Sequence, residues 1–328
     1  MRTRTDAGLA LALVSAATFG TSGALATSLI ATGWTPGAAV LIRVGIAALV
    51  LTVPALMQLR GARAPLARSL RTVGVYGVVA VAGAQLCYFN AVQHLSVAVA
   101  LLLEYSGVLL VVGWMWLRHG HRPRALTIVG AVTALVGLGL VLNLIGHRAT
   151  IDGVGVLWGL GAGVGLAVYF VVSAGKRDPL PPLVIAWGGL AVGAVALGLA
   201  SLAGVLSLHA NQQPVSFRGV EVSWIVPVLG LSLVAASVAY VAGIVAARLL
   251  GAKVASFVGL TEVLFAVVFA WLLLDQRLDA VQIVGAVFVV GGIALVRLDE
   301  LTRPDDDDPD LVARTDEPLP ARLAAPVS

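Results

Sequence analysis

Apolar runs of about twenty residues, the length needed to cross a hydrocarbon core about 30 Å thick, recur along this chain with short polar breaks between them. They predict helical spans near 8–30, 37–59, 72–93, 96–117, 125–145, 153–174, 182–207, 223–247, 253–274 and 280–297. Turn formers and charges fill the breaks, as in Gly33-Trp34-Thr35-Pro36, Arg60-Gly61-Ala62-Arg63 and Asp178-Pro179-Leu180-Pro181-Pro182. The stretch from His209 to Glu221 reads as one of the longest and most polar loops.

Composition agrees with this pattern. The chain is 59% hydrophobic and 12% charged, with a mean hydropathy of +0.98; soluble domains carry about 25% charged residues. The fold class is therefore an all-α integral membrane protein with ten transmembrane helices. The lone cysteine, Cys87, can form no intrachain disulfide and reads as a small core residue.

Charge sets the orientation. Residues 1–298 carry a net +10 and residues 299–328 a net −6. With the N-terminus inside, 17 basic residues fall in cytoplasmic segments and only Arg148, Arg218 and Arg277 in outside loops. This places a multi-pass protein in the cytoplasmic membrane with both termini cytoplasmic. The arginines mark topology rather than a nucleic-acid surface.

The stretch 100–141 reappears without a gap at 255–296, with 16 identities in 42 positions, among them Trp116/Trp271 and Ile128-Val129-Gly130-Ala131-Val132 against Ile283-Val284-Gly285-Ala286-Val287. The expected domains are a first five-helix repeat over 1–148, a second over 149–298 and an acidic cytoplasmic tail of disordered character over 299–328. Five spans is an odd number, so the second repeat is inverted relative to the first. Arg2, Arg4 and the following apolar run could pass for a cleavable signal; the repeat argues for retention, because span 153–174 needs 8–30 as its counterpart.

Ionisable residues at membrane depth are costly and normally face a cavity or a partner. Arg43, Glu104 and Glu262 stand out, with the carboxylates eight or nine residues into their spans. Less costly polar groups surround them: Gln85 with Tyr88, Ser237 with Tyr240, Tyr105 beside Glu104, Thr261 beside Glu262, and Tyr169 and Trp187 in spans six and seven. These eleven are the candidate substrate-binding or coupling residues. Asn90 and Ser106 are weaker cavity candidates, and Trp34, Trp116 and Trp224 read as interface anchors.

In register, Glu104 pairs with Gly259 and Glu262 with Gly107, so the carboxylates are staggered by three residues between the repeats. Tyr88 and Tyr240 show the same offset. His119 and His121 lie in a basic loop without acidic partners, and Asp305 to Asp308 in a Pro- and Asp-rich tail; neither reads as a metal site. Without a Walker loop, a His-Glu-x-x-His motif or a nucleophile constellation, no enzyme, metal or cofactor is expected.

Phe19-Gly20, Pro36 with Arg43, Leu103-Glu104-Tyr105, Leu260-Thr261-Glu262-Val263, Leu274-Asp275-Gln276-Arg277 and the repeated Ile-Val-Gly-Ala-Val together resemble EamA-type permeases of the drug/metabolite transporter superfamily. The resemblance covers about residues 8–297. It implies a secondary transporter that exports small metabolites, often amino acids or related compounds, through a central cavity open alternately to each side of the bilayer. Glu104 and Glu262 would line that cavity, at least one of them changing protonation or pairing with a substrate amine, with protons as a candidate coupling ion. Import of a small metabolite, or a non-transporting sensor or scaffold, are the alternatives. The chain departs from the family in having no proline at Ser106-Gly107-Val108 or Glu262-Val263, so a helix break at either place has no proline to rest on.

Overall fold

The computed structural model describes residues 2–59, 63–95, 97–120, 123–144, 152–175, 180–275 and 279–302. His121, Arg148, Gln276, Arg277 and the chain beyond Thr302 lie outside them. Helices dominate: α1 (Arg2–Ile30), α2 (Pro36–Leu59), α3 (Arg63–Val75), α4 (Ala84–His94), α5 (Val97–Tyr105), α6 (Gly107–His119), α7 (Ala125–Val141), α8 (Gly153–Ser173), α9 (Pro182–Leu202), α10 (Ile225–Leu229), α11 (Ala239–Gly259), α12 (Thr261–Leu274) and α13 (Ala280–Leu301). Among the described residues, eight helical stretches are long and apolar enough to cross a membrane, and α7 and α12 are shorter apolar helices. The protein is an all-α, multi-pass membrane protein.

Two π-helical segments, Tyr76–Gly83 and Gly230–Val238, join α3 to α4 and α10 to α11. They fall at equivalent places under the 155-residue offset. Gly120 and Asp275, also equivalent, both end their helices in the left-handed conformation, with φ of 70° and 57°. Gly251, at φ 79°, interrupts α11 and separates its first part from the stretch leading into α12.

The packing between elements is reciprocal. α1 packs on the second π segment, α11 and α12; α8 packs on the first π segment, α4, α5 and α6. The crossing of α7 with α13 is the clearest case. A Cβ on Gly130 would meet the Gly292 carbonyl oxygen at 2.8 Å, and one on Gly137 the Gly285 oxygen at 2.7 Å. Gly130 and Gly285 are repeat equivalents, as are Gly137 and Gly292, so each glycine faces its counterpart's neighbour in an antiparallel contact. Small residues let backbones approach this closely where lipid offers no hydrophobic drive for association.

One face carries both ends of the described chain. There Lys253 Nζ reaches Asp299 Oδ2 at 3.1 Å and Glu300 Oε1 at 2.7 Å, and Thr127 Oγ1 donates to Asp299 at 2.6 Å. Asp299 and Glu300 therefore belong to the last helix and its packing, not to the acidic tail that was expected to begin with them. A Cβ on Gly8 of α1 would meet Leu250 at 2.9 Å, so α1 and α11 close on each other at this face.

The opposite face carries the long polar loop, which folds in part into a hairpin, β1 (Val215–Phe217) against β2 (Val220–Val222). Its two-residue turn, Arg218-Gly219, has positive φ at both positions, the geometry that suits a tight hairpin. Trp34 sits beneath this loop at 3% exposure and donates from Nε1 to the Asn211 carbonyl at 2.9 Å. It is not a lipid-interface anchor, because its indole N–H finds a protein acceptor instead of headgroups.

Candidate functional site

Both carboxylates owe their position to helix breaks. The break between α5 and α6 falls at Ser106 and that between α11 and α12 at Leu260, and Glu104 and Glu262 lie within two residues of these breaks. Hydroxyls take the place of the missing prolines: Ser106 Oγ donates to the Leu103 carbonyl at 2.6 Å and Thr261 Oγ1 to the Val258 carbonyl at 2.7 Å. Ser106 and Thr261 are repeat equivalents, and such local bonds compete with the regular helical ladder.

A cavity of about 580 Å³ lies beside the breaks. Its lining includes Arg43, Gln85, Tyr88, Glu104, Tyr105, Tyr169, Tyr240 and Glu262. The structure thus brings eight of the eleven candidate residues together. Glu104, Glu262 and Arg43 are near enough to act on one another electrostatically, and the Tyr105 hydroxyl neighbours the Glu262 carboxyl. From this polar layer the lining continues one way to Ile30, Pro36, Val92, Leu142 and Leu274, at the hairpin-face ends of their helices, and the other way to Ala12, Ala246 and Ala255.

Arg43 is held by unlike contacts. Its Nη2 donates to the Ala235 carbonyl, inside the second π segment, at 3.0 Å. Its guanidinium carbon lies 5.7 Å from the Phe19 ring centroid, a cation–π distance. Its Nε is buried and completes no hydrogen bond. The Phe19 ring also meets those of Tyr240 and Tyr169 edge-on, at 5.1 and 6.4 Å.

Three candidates are not among the lining residues. Trp187 Nε1 donates to Thr52 Oγ1 at 2.9 Å, tying α9 to α2. Ser237 Oγ donates to the Ser232 carbonyl at 2.9 Å within the π segment. Thr261 is spent on its helix break. Asn90 likewise donates along its own helix, to the Leu86 carbonyl at 2.7 Å. Sequence reasoning gave no role to Phe19, which supports Arg43, or to Tyr76, whose ring lies 5.9 Å from that of Tyr169. Tyrosine usage was the available signal: all five tyrosines of the chain gather at or beside the cavity, whereas membrane proteins commonly place them at the interfaces.

The stagger of the carboxylates has a packing cause. At Gly107, the counterpart of Glu262, α6 lies against the Gly163 backbone with no room for a Cβ. At Gly259, the counterpart of Glu104, a Cβ would meet Phe170 Cζ at 2.8 Å. Gly107 has no room for a glutamate, and one at Gly259 would have to displace the Phe170 ring, in keeping with carboxylates that lie about one turn apart under the 155-residue offset.

The EamA-like transporter family matches this chain twice, over residues 6–143 and 153–298. The chain belongs to the EamA-like transporter family. Its relatives include an uncharacterized transporter of Clostridium kluyveri, 23% identical over 220 residues that cover 66% of this chain and 68% of that protein. The fold is shared with a protein of known crystal structure at a TM-score of 0.69 and 18% identity, covering 90% of this chain and 99% of that one. This EamA-like protein is accordingly a membrane transporter, and its family points away from an enzyme.

Proposed function

We propose that this protein is a secondary transporter that moves small metabolites, amino acids or related compounds, across the cytoplasmic membrane by alternating access, in the direction of export. The observation that carries the reading is the cavity floor, where Arg43, Glu104 and Glu262 meet Tyr88, Tyr105, Tyr169 and Tyr240. A guanidinium and two carboxylates complement a molecule that bears both an acid and an amine, and the rings offer apolar and hydrogen-bonding surface to the remainder.

The scaffold we infer has ten spans in two inverted repeats, 1–148 and 149–298, with both termini cytoplasmic. The interruption of α11 at Gly251, the reciprocal packing of α1 and α8, and the glycine contacts of α7 with α13 all support it. In that orientation the cavity walls lead outward and the Lys253–Asp299 face is the cytoplasmic one. Glu104 and Glu262 bind the substrate amine or carry a proton.

The test is flux in proteoliposomes of the purified full chain, with a panel of L-amino acids, in both directions and with and without a pH gradient. Glu104→Gln or Glu262→Gln is expected to lower flux at least tenfold. Wild-type flux in both variants under both conditions sinks the role given to the carboxylates. A preference for uptake makes the protein an importer.

A further inference from the structure

Among the described residues, three buried hydroxyls at and below the carboxylate level reach no partner within 3.5 Å: Tyr169 Oη, which lies beside Ser15, and Tyr76 Oη and Ser173 Oγ, which lie beside each other. Their residues are 7%, 0% and 0% exposed. An unsatisfied buried hydroxyl costs about 1–3 kcal/mol, so three in one place call for an occupant.

They form a file. Tyr169 lines the cavity, with its ring 5.8 Å from that of Tyr240 and 5.9 Å from that of Tyr76. Glu262 is close enough to act on it electrostatically, and Arg43, Glu104 and Glu262 act on neighbouring Tyr240. The nearby Ser15 hydroxyl donates to the Ala239 carbonyl at 2.8 Å and keeps its oxygen free to accept from Tyr169. Ser173 follows Tyr169 by one turn of α8, about 6 Å closer to the closed face, and neighbours the Tyr76 hydroxyl. α8 ends there. Thr72, one turn before Tyr76 and half-buried, is the next hydroxyl along that segment toward the chain-end face. The core around it is apolar, built from Val73, Leu180, Val184 and Ile185.

We propose that these hydroxyls enclose bound waters and form a proton-conducting leg from the carboxylate floor to the face that carries the chain ends. The inference rests on the transport reading given above. Each hydroxyl or water accepts a proton from one neighbour and passes its own to the next. A proton released by the Glu262 carboxyl thus emerges as hydronium at the closed face, and the carboxylate is the one group left with a changed charge. The cavity lining already extends to the hairpin face. The floor would therefore exchange protons with both aqueous phases while a bulky substrate reaches only one, the asymmetry that coupling requires.

Hydroxyl-radical footprinting of the full chain in lipid nanodiscs tests the waters without a substrate, because radicals form from water in place. After correction for intrinsic ring reactivity, Tyr76 is expected to be oxidised at least fivefold faster than Phe257, 1% exposed in an apolar setting. Equal rates overturn the proposal. The conducting role is read in liposomes with a trapped pH dye and a mixture of L-amino acids as the probe. Tyr76→Phe and Ser173→Ala are expected to slow proton-coupled net flux at least tenfold and leave amino acid exchange within twofold. Unchanged net flux, or parallel loss of both, overturns it. A wild-type protein that moves no amino acid defeats the functional reading instead, and footprinting still decides whether the file is hydrated.

Discussion

Arg43 depends on geometry as well as charge, since its planar guanidinium reaches the Ala235 carbonyl while lying over Phe19. Lysine offers a point charge and cannot reproduce both contacts. Arg43→Lys is therefore expected to lower transport at least tenfold, measured as flux in proteoliposomes. Phe19→Leu removes a cation–π contact of about 0.5–2 kcal/mol and should cost roughly two- to thirtyfold in the same assay. Arg43, Glu104 and Glu262 were legible in the sequence because a charge at membrane depth needs a reason to be there. Phe19, Tyr76, Trp187 and Thr261 were not. Their roles depend on which way each helix is rotated about its axis, and in a helix apolar all round nothing in the residue pattern marks the cavity side. Hydroxyls add a further ambiguity, since Thr261 can satisfy its own backbone as readily as a ligand.

The breaks and close crossings decide where those side chains go. The breaks between α5 and α6 and between α11 and α12 form without proline, with Ser106 and Thr261 bonding to carbonyls three residues back. A reading that waits for proline misses them. The π segments were likewise invisible, because they differ from α-helix by hydrogen-bond register and not by composition. Glycine spacing was informative in kind but not in detail: it indicated tight packing without saying which glycine meets which helix. Gly107, against the Gly163 backbone, and Gly113, with nothing within 4 Å of a Cβ, make a matched pair. Gly107→Ala is expected to destabilise by about 1–3 kcal/mol through overpacking, seen as a lowered melting temperature in detergent. Gly113→Ala should be neutral or slightly stabilising.

For the whole molecule, the π segments, the left-handed helix ends at Gly120 and Asp275 and the contacts of α1 and α8 fall at positions 155 residues apart, as the proposed pair of repeats would place them. The hairpin, which carries Arg218 of the Arg218–Asp275 pair at 2.5 Å, departs from the offset, since the positions 155 residues before β2 lie in α3. Orientation is directly testable after Cys87→Ala. A cysteine at Ser207 is expected to react with a membrane-impermeant maleimide on intact cells, and one at Thr302 only after permeabilisation; the reverse pattern inverts the topology. The central claim, that one polar floor is opened to each face in turn, is tested most directly by single cysteines on either side of that floor. Ala266 lines the wall toward the hairpin face, and Leu250 lies in the closed layer against Gly8. Adding an L-amino acid mixture to the purified protein in nanodiscs should change their rates of reaction with a soluble thiol reagent at least threefold in opposite directions. Rates that move together, or do not move while amino acids are transported, contradict alternating access.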